Sequence, residues 1–330
     1  MATVLFFFAA LLQGAGEPKV AALRRVVLQA QRQAGGTLGF SVLHVESGNK
    51  YDVNGDRRFP MQSVYKLPIA IQVLSLADKG QIRLSDVVHL GSEDQRPGFS
   101  PLAQQIGQQR GQVALTIGEL VEAVLLDSDN TASDALLRIA GGPAAVTARM
   151  RSLGIDDITV SRPEGEIFLD YHGVPPGARH GMQSLDAYVR LADSVSSAER
   201  LAAAHRYATD VRDTSTPNAM VQLLLRVHRR GVLSKSNADR LIALMLRCRR
   251  GSARIKGLLP TDVPVAHRPG TGGQNAGVNA CTNDVGIVTL PNGAGHLIIA
   301  VFLKDSNRSL TVREETIARI ALAAYKAWSP

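Results

Sequence analysis

Ser63 and Lys66, in the stretch MQSVYKL, form an S-x-x-K pair, and Ser128-Asp129-Asn130 follows in LLDSDNTASDALL. Residues three apart on a helix are neighbours, so this spacing puts the Lys66 amine beside the Ser63 hydroxyl. A serine hydroxyl attacks poorly unless a base removes its proton, and lysine serves as that base only where burial or nearby positive charge lowers its pKa. A helix N-terminus adds positive potential, which also favours the charge that develops as Ser63 attacks a carbonyl. The chemistry indicated is nucleophilic acyl transfer. Taken alone, S-x-x-K reads first as a helix start with Ser63 as N-cap and Lys66 solvated, since N-cap serines are common. A second copy, Ser47-Gly48-Asn49-Lys50, lies between strand-like runs 37–45 and 51–53 and reads as the polar ends of a hairpin turn.

The elements that must position these groups follow from periodicity. Ser63 opens a helical run over 64–77. Ser128-Asp129-Asn130 falls between helical runs 117–126 and 135–139, where all three residue types suit a turn. A turn facing a cleft would expose Ser128 as a proton relay and Asn130 as an amide donor to substrate. Helix-like runs at 18–33 and 312–327 flank strand-like runs at 37–45, 263–267, 278–290 and 296–303, while the middle of the chain is helical. Strands early and late in the chain, separated by a helical block, predict an α/β lobe built from both chain ends with an all-α lobe inserted between them.

Composition agrees with a globular enzyme: 330 residues, 45% hydrophobic and 20% charged, suffice for one large domain or two intertwined lobes. The formal charge of +8 invites a nucleic-acid reading, but lysines and arginines are spread along the chain and no nucleic-acid motif occurs. No H-E-x-x-H, C-x-x-C or P-loop string is present, so neither a metal nor a nucleotide cofactor is expected. Residues 1–16, with an apolar run at 4–12 followed by Gly14-Ala15-Gly16, read as a secretory signal cleaved near Glu17. No later segment is long and charge-free enough to span a bilayer, which predicts a soluble exported protein, periplasmic or secreted. Cys248 and Cys281 are too few for a disulfide framework and read as buried thiols.

With these motifs the chain resembles the class A serine β-lactamases and the wider penicillin-recognising enzymes, over most of its length. Phe99-Ser100-Pro101 resembles the family's aromatic-Ser-Pro at the cleft edge, and residues 280–286 (ACTNDVG) resemble a sheet strand of one branch. The third motif is altered: where the family carries Lys-Thr-Gly or Lys-Ser-Gly, this chain has Arg268-Pro269-Gly270-Thr271-Gly272 after the strand-like run 263–267. Arg268 keeps the positive charge a carboxylate-bearing substrate needs, Thr271 offers a hydroxyl and an oxyanion-binding N–H, and Gly270 completes the motif. An arginine near Arg254 holds the substrate carboxylate in some family members. Arg162-Pro163-Glu164-Gly165-Glu166-Ile167 resembles the Ω-loop, with Glu164 in the deacylating position and Glu166 as its rival. The next helix begins far later than in the family, which implies an insertion over roughly 174–211 with helical patterns at 185–195 and 198–207 and leaves Asp213 as the nearest counterpart of the Ω-loop asparagine. The insertion reads as a lid or, in preference, as a surface elaboration.

The resemblance implies an α/β (α+β) fold of the β-lactamase/transpeptidase type: an antiparallel sheet flanked by N- and C-terminal helices (17–58 and 218–330) with an all-α lobe (59–217) inserted. It implies a monomeric serine β-lactamase, cofactor-free, acting on small β-lactams through an acyl-Ser63 intermediate. In that cycle Lys66, alone or with water-linked Glu164, accepts the serine proton, Ser128 relays a proton, and Asn130, Phe99, Arg254, Arg268, Gly270 and Thr271 contact substrate. Two other readings stay open. One is a D-alanyl-D-alanine peptidase or another serine acyl hydrolase of the same fold, which would not need Glu164; the other is a non-catalytic ligand-binding relative.

Overall fold

Strand β10 (His296–Ser306) shows why this chain builds a sheet buried on both faces. Leu297, Ile299 and Val301 point to one core and Ile298, Ala300 and Phe302 to the other, so a period-two strand reads as one continuous apolar run. A computed structural model describes residues 17–109, 111–179, 184–275 and 277–330; the leader read at 1–16 lies outside them. Around β10 the antiparallel order is β2 (Lys50–Val53), β1 (Thr37–His44), β10, β9 (Val278–Thr289) and β7 (Val265–Thr271), with the short β8 (Gln274–Asn275) also on β9. Helices α1 (Glu17–Gln33) and α12 (Leu310–Trp328) cover one face through Leu23, Val27, Ile317 and Ile320.

The other face packs on the helical part of the chain. Its helices are α2 (Lys66–Asp78), α3 (Pro101–Gln109), α4 (Ile117–Glu122), α5 (Asn130–Ile139), α6 (Pro143–Ser152), α7 (Glu164–Tyr171), α8 (Leu185–Ser194), α9 (Ser197–Thr209), α10 (Pro217–His228) and α11 (Lys235–Leu246). Two short ribbons join it, β4 (Val87–Leu90) with β5 (Val113–Thr116) and β3 (Phe59–Pro60) with β6 (Thr214–Ser215). α2 is buried on nearly all sides, from Leu67 to Leu74, and forms the axis of this lobe. The fold is the predicted α/β class with an antiparallel sheet.

Three local readings differ from the sequence expectation. Ser63 does not open an α-helix; it sits in a 3-10 turn, Gln62–Tyr65, and α2 begins at Lys66. The helical run at 117–126 breaks into α4 and a π turn, Ala123–Asp127, which ends at Ser128 in the left-handed region (φ 71°). β7 runs on to Thr271, so Arg268-Pro269-Gly270 lies within the strand. Proline is tolerated there because β7 ends the main strand order and Pro269 faces a partner on one side only. Ser47 lies in a turn with its Oγ 2.7 Å from His44 Nδ1, and Lys50 pairs with Asp52, so the second S-x-x-K is a hairpin feature. Cys248 and Cys281 are buried free thiols, and burial pushes Cys281 up to about 12.

Candidate active site

A cleft of about 480 Å³ opens between the helical lobe and β7, with Ser63, Ser128, Asn130, Glu164, Phe99, Arg254 and Thr271 on its walls. The serine turn is held from both sides. Asn283, on β9, donates its side-chain amide to the carbonyls of Pro60 and Met61, and Arg268 Nε donates to the Ser63 carbonyl at 3.0 Å. Gln62, just before the nucleophile, has φ 49°, a backbone conformation that non-glycine residues adopt only where their surroundings impose it. Gly270 lets the strand approach this turn: a Cβ there would stand 2.5 Å from Met61 O and 3.2 Å from Ser63 N.

Lys66 is fully buried, and its ammonium reaches across the cleft floor. Nζ donates to Asn130 Oδ1 (2.6 Å) and Ser128 O (2.8 Å), lies 3.4 Å from Ser128 Oγ and ion-pairs with Glu164 Oε1 at 2.9 Å. Among the described residues none of its hydrogen bonds goes to the Ser63 hydroxyl, unlike the simple three-apart picture. The 3-10 turn takes Ser63 off the α2 ladder, and Lys66 turns toward the second motif. Burial lowers the Lys66 pKa; the Glu164 carboxylate opposes that shift and the Arg268 charge adds to it.

Arg268 departs from its expected role as an exposed anchor. It is wholly buried behind Ser128, with Nη2 donating to Ser128 Oγ (2.8 Å), Nη1 to Leu125 O (3.3 Å) and Nε to Ser63 O. Gly270 is likewise buried, its carbonyl accepting from Arg254 Nη1 at 2.9 Å. Arg254 lines the cleft beside Thr271, with its Nη2 2.5 Å from Thr271 Oγ1 and its Nε paired with Glu314 of α12 at 3.2 Å. On the opposite rim the ring of Phe99 carries the guanidinium of Arg250 at 4.1 Å.

Glu164 begins α7, and its backbone N–H donates to Asp134 Oδ1 at 2.7 Å. Asp134 is itself buried against Arg96, and burial raises its pKa. The rival Glu166 is exposed on the far side of the helix turn. The loop that carries Glu164 is closed at its neck by charge: Arg162 pairs with Asp213 (2.7 Å), Asp170 (2.6 Å) and Asp210 (3.0 Å), and Asp213 also accepts from the backbone N–H groups of Ser161 and Arg162. Asp213 is therefore the closing clasp, not a counterpart of the loop asparagine. The insertion also differs from a remote elaboration. Its helices α8 and α9 pack on α7, and Tyr207 of α9 accepts from Gln62 Nε2 at 2.8 Å, next door to Ser63.

Sequence reasoning missed Gln62, Asp134, Tyr207 and Glu314. Only Asp134 left a signal, four residues after Asn130 and so one turn along the same helix; the others arrive by tertiary folding alone.

A family model described as the "Beta-lactamase enzyme family" matches residues 19–328. Among curated relatives, β-lactamase VEB-1 of Pseudomonas aeruginosa is 30% identical over 287 residues, covering 86% of this chain and 83% of that protein. Extended-spectrum β-lactamase PER-1, also of Pseudomonas aeruginosa, is 29% identical over 291 residues, 88% of this chain and 82% of that one. Among solved structures, a β-lactamase from Chitinophaga pinensis superposes with a TM-score of 0.76 at 31% identity, covering 92% of this chain and 98% of that one.

Proposed function

Because the chain belongs to the β-lactamase enzyme family, with the fold of its class A members, we propose that it hydrolyses the β-lactam amide through an acyl-enzyme formed at Ser63. The observation that carries this reading is the buried Lys66 ammonium, bound at once to Ser128, Asn130 and Glu164 on the floor of a cleft walled by Ser63.

Ser63 attacks the lactam carbonyl, and its proton passes to the Lys66–Glu164 pair. A lysine whose pKa is depressed by burial gives up its own proton more readily, and the adjoining carboxylate is the acceptor in reach. The oxyanion is bound by the N–H groups of Ser63 and Thr271, which the glycine at 270 lets approach each other. Ser128 passes a proton to the departing nitrogen and is resupplied by Lys66, which returns the proton taken from Ser63 and leaves Glu164 ionised. The Ser128 oxygen faces two cationic donors, Arg268 and Lys66, so its own O–H is directed away from them. The substrate carboxylate binds at Thr271 and Arg254, while Arg268 contributes its charge from behind Ser128. Glu164 then draws a proton from water as that water attacks the acyl ester.

The test is nitrocefin turnover with mass spectrometry. Glu164→Gln should lower steady turnover on the order of a thousandfold, within the range for a lost general base, and leave a persistent acyl-Ser63 adduct. Turnover at the wild-type rate in that variant would defeat the assignment. Export to the periplasm or medium and a monomeric state are part of the same proposal; among the described residues no helix is long and apolar enough to cross a membrane.

A further inference from the structure

At the end of the sheet away from the cleft, three side chains from three distant segments converge. Glu46 follows β1, His296 opens β10, and His228 lies in the last turn of α10. Each offers one ligand atom, and these atoms lie within 4.8 Å of one another. His296 Nδ1 stands 2.9 Å from Glu46 Oε1, and the rings of His228 and His296 are 4.5 Å apart. From these positions we infer that Glu46, His228 and His296 form a binding site for a zinc-class divalent ion.

The distances fit such an ion after small side-chain adjustments. Bonds of about 2.0–2.1 Å to nitrogen and oxygen in a tetrahedral arrangement place ligand atoms about 3.3 Å apart, somewhat more than the 2.9 Å between His296 Nδ1 and Glu46 Oε1 and inside the 4.8 Å that bounds all three. None of the three side chains is fully buried, so each has room to adjust. Two neutral imidazoles and one carboxylate suit zinc, nickel or copper rather than magnesium or calcium, which require mostly oxygen. The end of α10 adds favourable negative potential from its terminal carbonyls. Arg229 and Arg230 beside His228 work against any cation, so the nitrogen ligands must supply most of the affinity. Nearby His44 is occupied: its Nε2 bonds Ala294 O at 2.9 Å and its Nδ1 bonds Ser47 Oγ.

The site is separate from the catalytic cleft. His296 pairs with Thr289, while the cleft end of β10 is at Leu303, opposite Thr282, which is the partner of Thr271. Seven strand residues at about 3.3 Å each put roughly 23 Å between the two ends. A bound ion would tie the β1–β2 turn, β10 and the end of α10 together as a structural pin. No sequence spacing announced it, because the ligands come from positions 46, 228 and 296.

The experiment titrates ZnCl2 into the purified full chain by isothermal calorimetry, with thermal unfolding and nitrocefin turnover measured on the same samples. One Zn²⁺ per chain, a raised unfolding temperature, and a tetrahedral visible spectrum with Co²⁺ are expected. His228→Ala, His296→Ala and Glu46→Gln should each weaken zinc binding about tenfold or more, at least the loss that outer partners of metal sites carry, with turnover retained as proof of folding. Absence of zinc binding would overturn the inference. So would binding that all three variants leave intact, since the ion would then sit on other histidines.

Discussion

The serine turn and the neck of the Glu164 loop face each other across one cleft and are built on opposite principles. The turn is held by burial and by hydrogen bonds to fixed backbone: Asn283 and Arg268 grip carbonyls on either side of Gln62, and Lys66 is sealed at zero exposure. The neck is held by charge, with one guanidinium, Arg162, between three aspartates, and a second arginine, Arg179, on Asp170. The nucleophile therefore sits in a part of the molecule that resists deformation, while the deacylating carboxylate hangs on a loop whose closure depends on ionisation. A buried network of this kind contributes little net stability while intact, yet losing one member leaves uncompensated charges.

Removing the clasp should break that contrast most visibly. Arg162→Ala leaves the buried Asp213 and the half-buried Asp170 and Asp210 without their shared cation, and a cost of about 3–5 kcal/mol is expected. In a chain of this size that lowers the unfolding temperature by about 4–7 °C. Deacylation should suffer more than acylation, because Glu164 follows Arg162 by two residues while Ser63 is held independently. Acid should do the same more gently. Hydrogen bonds from Arg162 and Arg179 overcome burial and hold Asp170 below its ordinary 3.8, and those from Arg212 do so for Asp210. Their contribution is complete above that value and is lost as pH falls through the depressed folded pKa values. Burial raises Asp213, so that group has the opposite sign, weakening the neck as pH rises from 3.8 through its folded pKa. Thermal scans between about pH 4 and pH 2, the range in which Asp170 and Asp210 take up protons, should show the wild type losing stability on acidification and Arg162→Ala losing less.

The proton pathway gives a sharper comparison. Glu164 raises the pKa of Lys66 while burial and Arg268 lower it, so Glu164→Gln should move the Lys66 titration further down from the ordinary lysine value of 10.5. Single-turnover acylation by a penicillin, measured against pH, should then show its acid limb at lower pH in the variant than in the wild type. An unmoved limb would mean that Lys66 is not the group that titrates in acylation.

What the sequence made legible in this site was local and periodic. Strand alternation and helical spacing placed β1, β9 and the covering helices within a residue or two, since both rest on backbone periodicity that tertiary context reinforces, while β7 and β10 run on past their expected ends at 267 and 303 to Thr271 and Ser306. Short motifs marked Ser63, Ser128 and Glu164, which the fold brings to the walls of one cleft. Arg268 shows the limit: its charge was readable, but whether a guanidinium points into a cleft or behind a serine depends on the packing around it, here the 3-10 turn and the carbonyl of Leu125. Glu314 and Tyr207 were invisible for the same reason. Each is a surface-type residue in its own helix and acquires a role only when α12 and α9 close on the cleft.

Tyr207 offers the smallest and most selective test, since it joins the two regions. Its phenol accepts from Gln62, the residue held at positive φ before Ser63, while its ring packs against Tyr171 and under Arg162. Tyr207→Phe keeps the ring and deletes only the acceptor, so a loss of about 1 kcal/mol is expected, the net worth of one hydrogen bond. If the insertion braces the serine turn, the variant should lower the acylation rate a few-fold, and the same change in a Gln62→Ala background should add nothing, because the bond is already gone. If the insertion only thickens the loop, Tyr207→Phe and Gln62→Ala will combine additively and acylation will be untouched by the first. A double-mutant cycle on single-turnover acylation separates these outcomes, and a coupling near zero would return α8 and α9 to the status of surface elaboration.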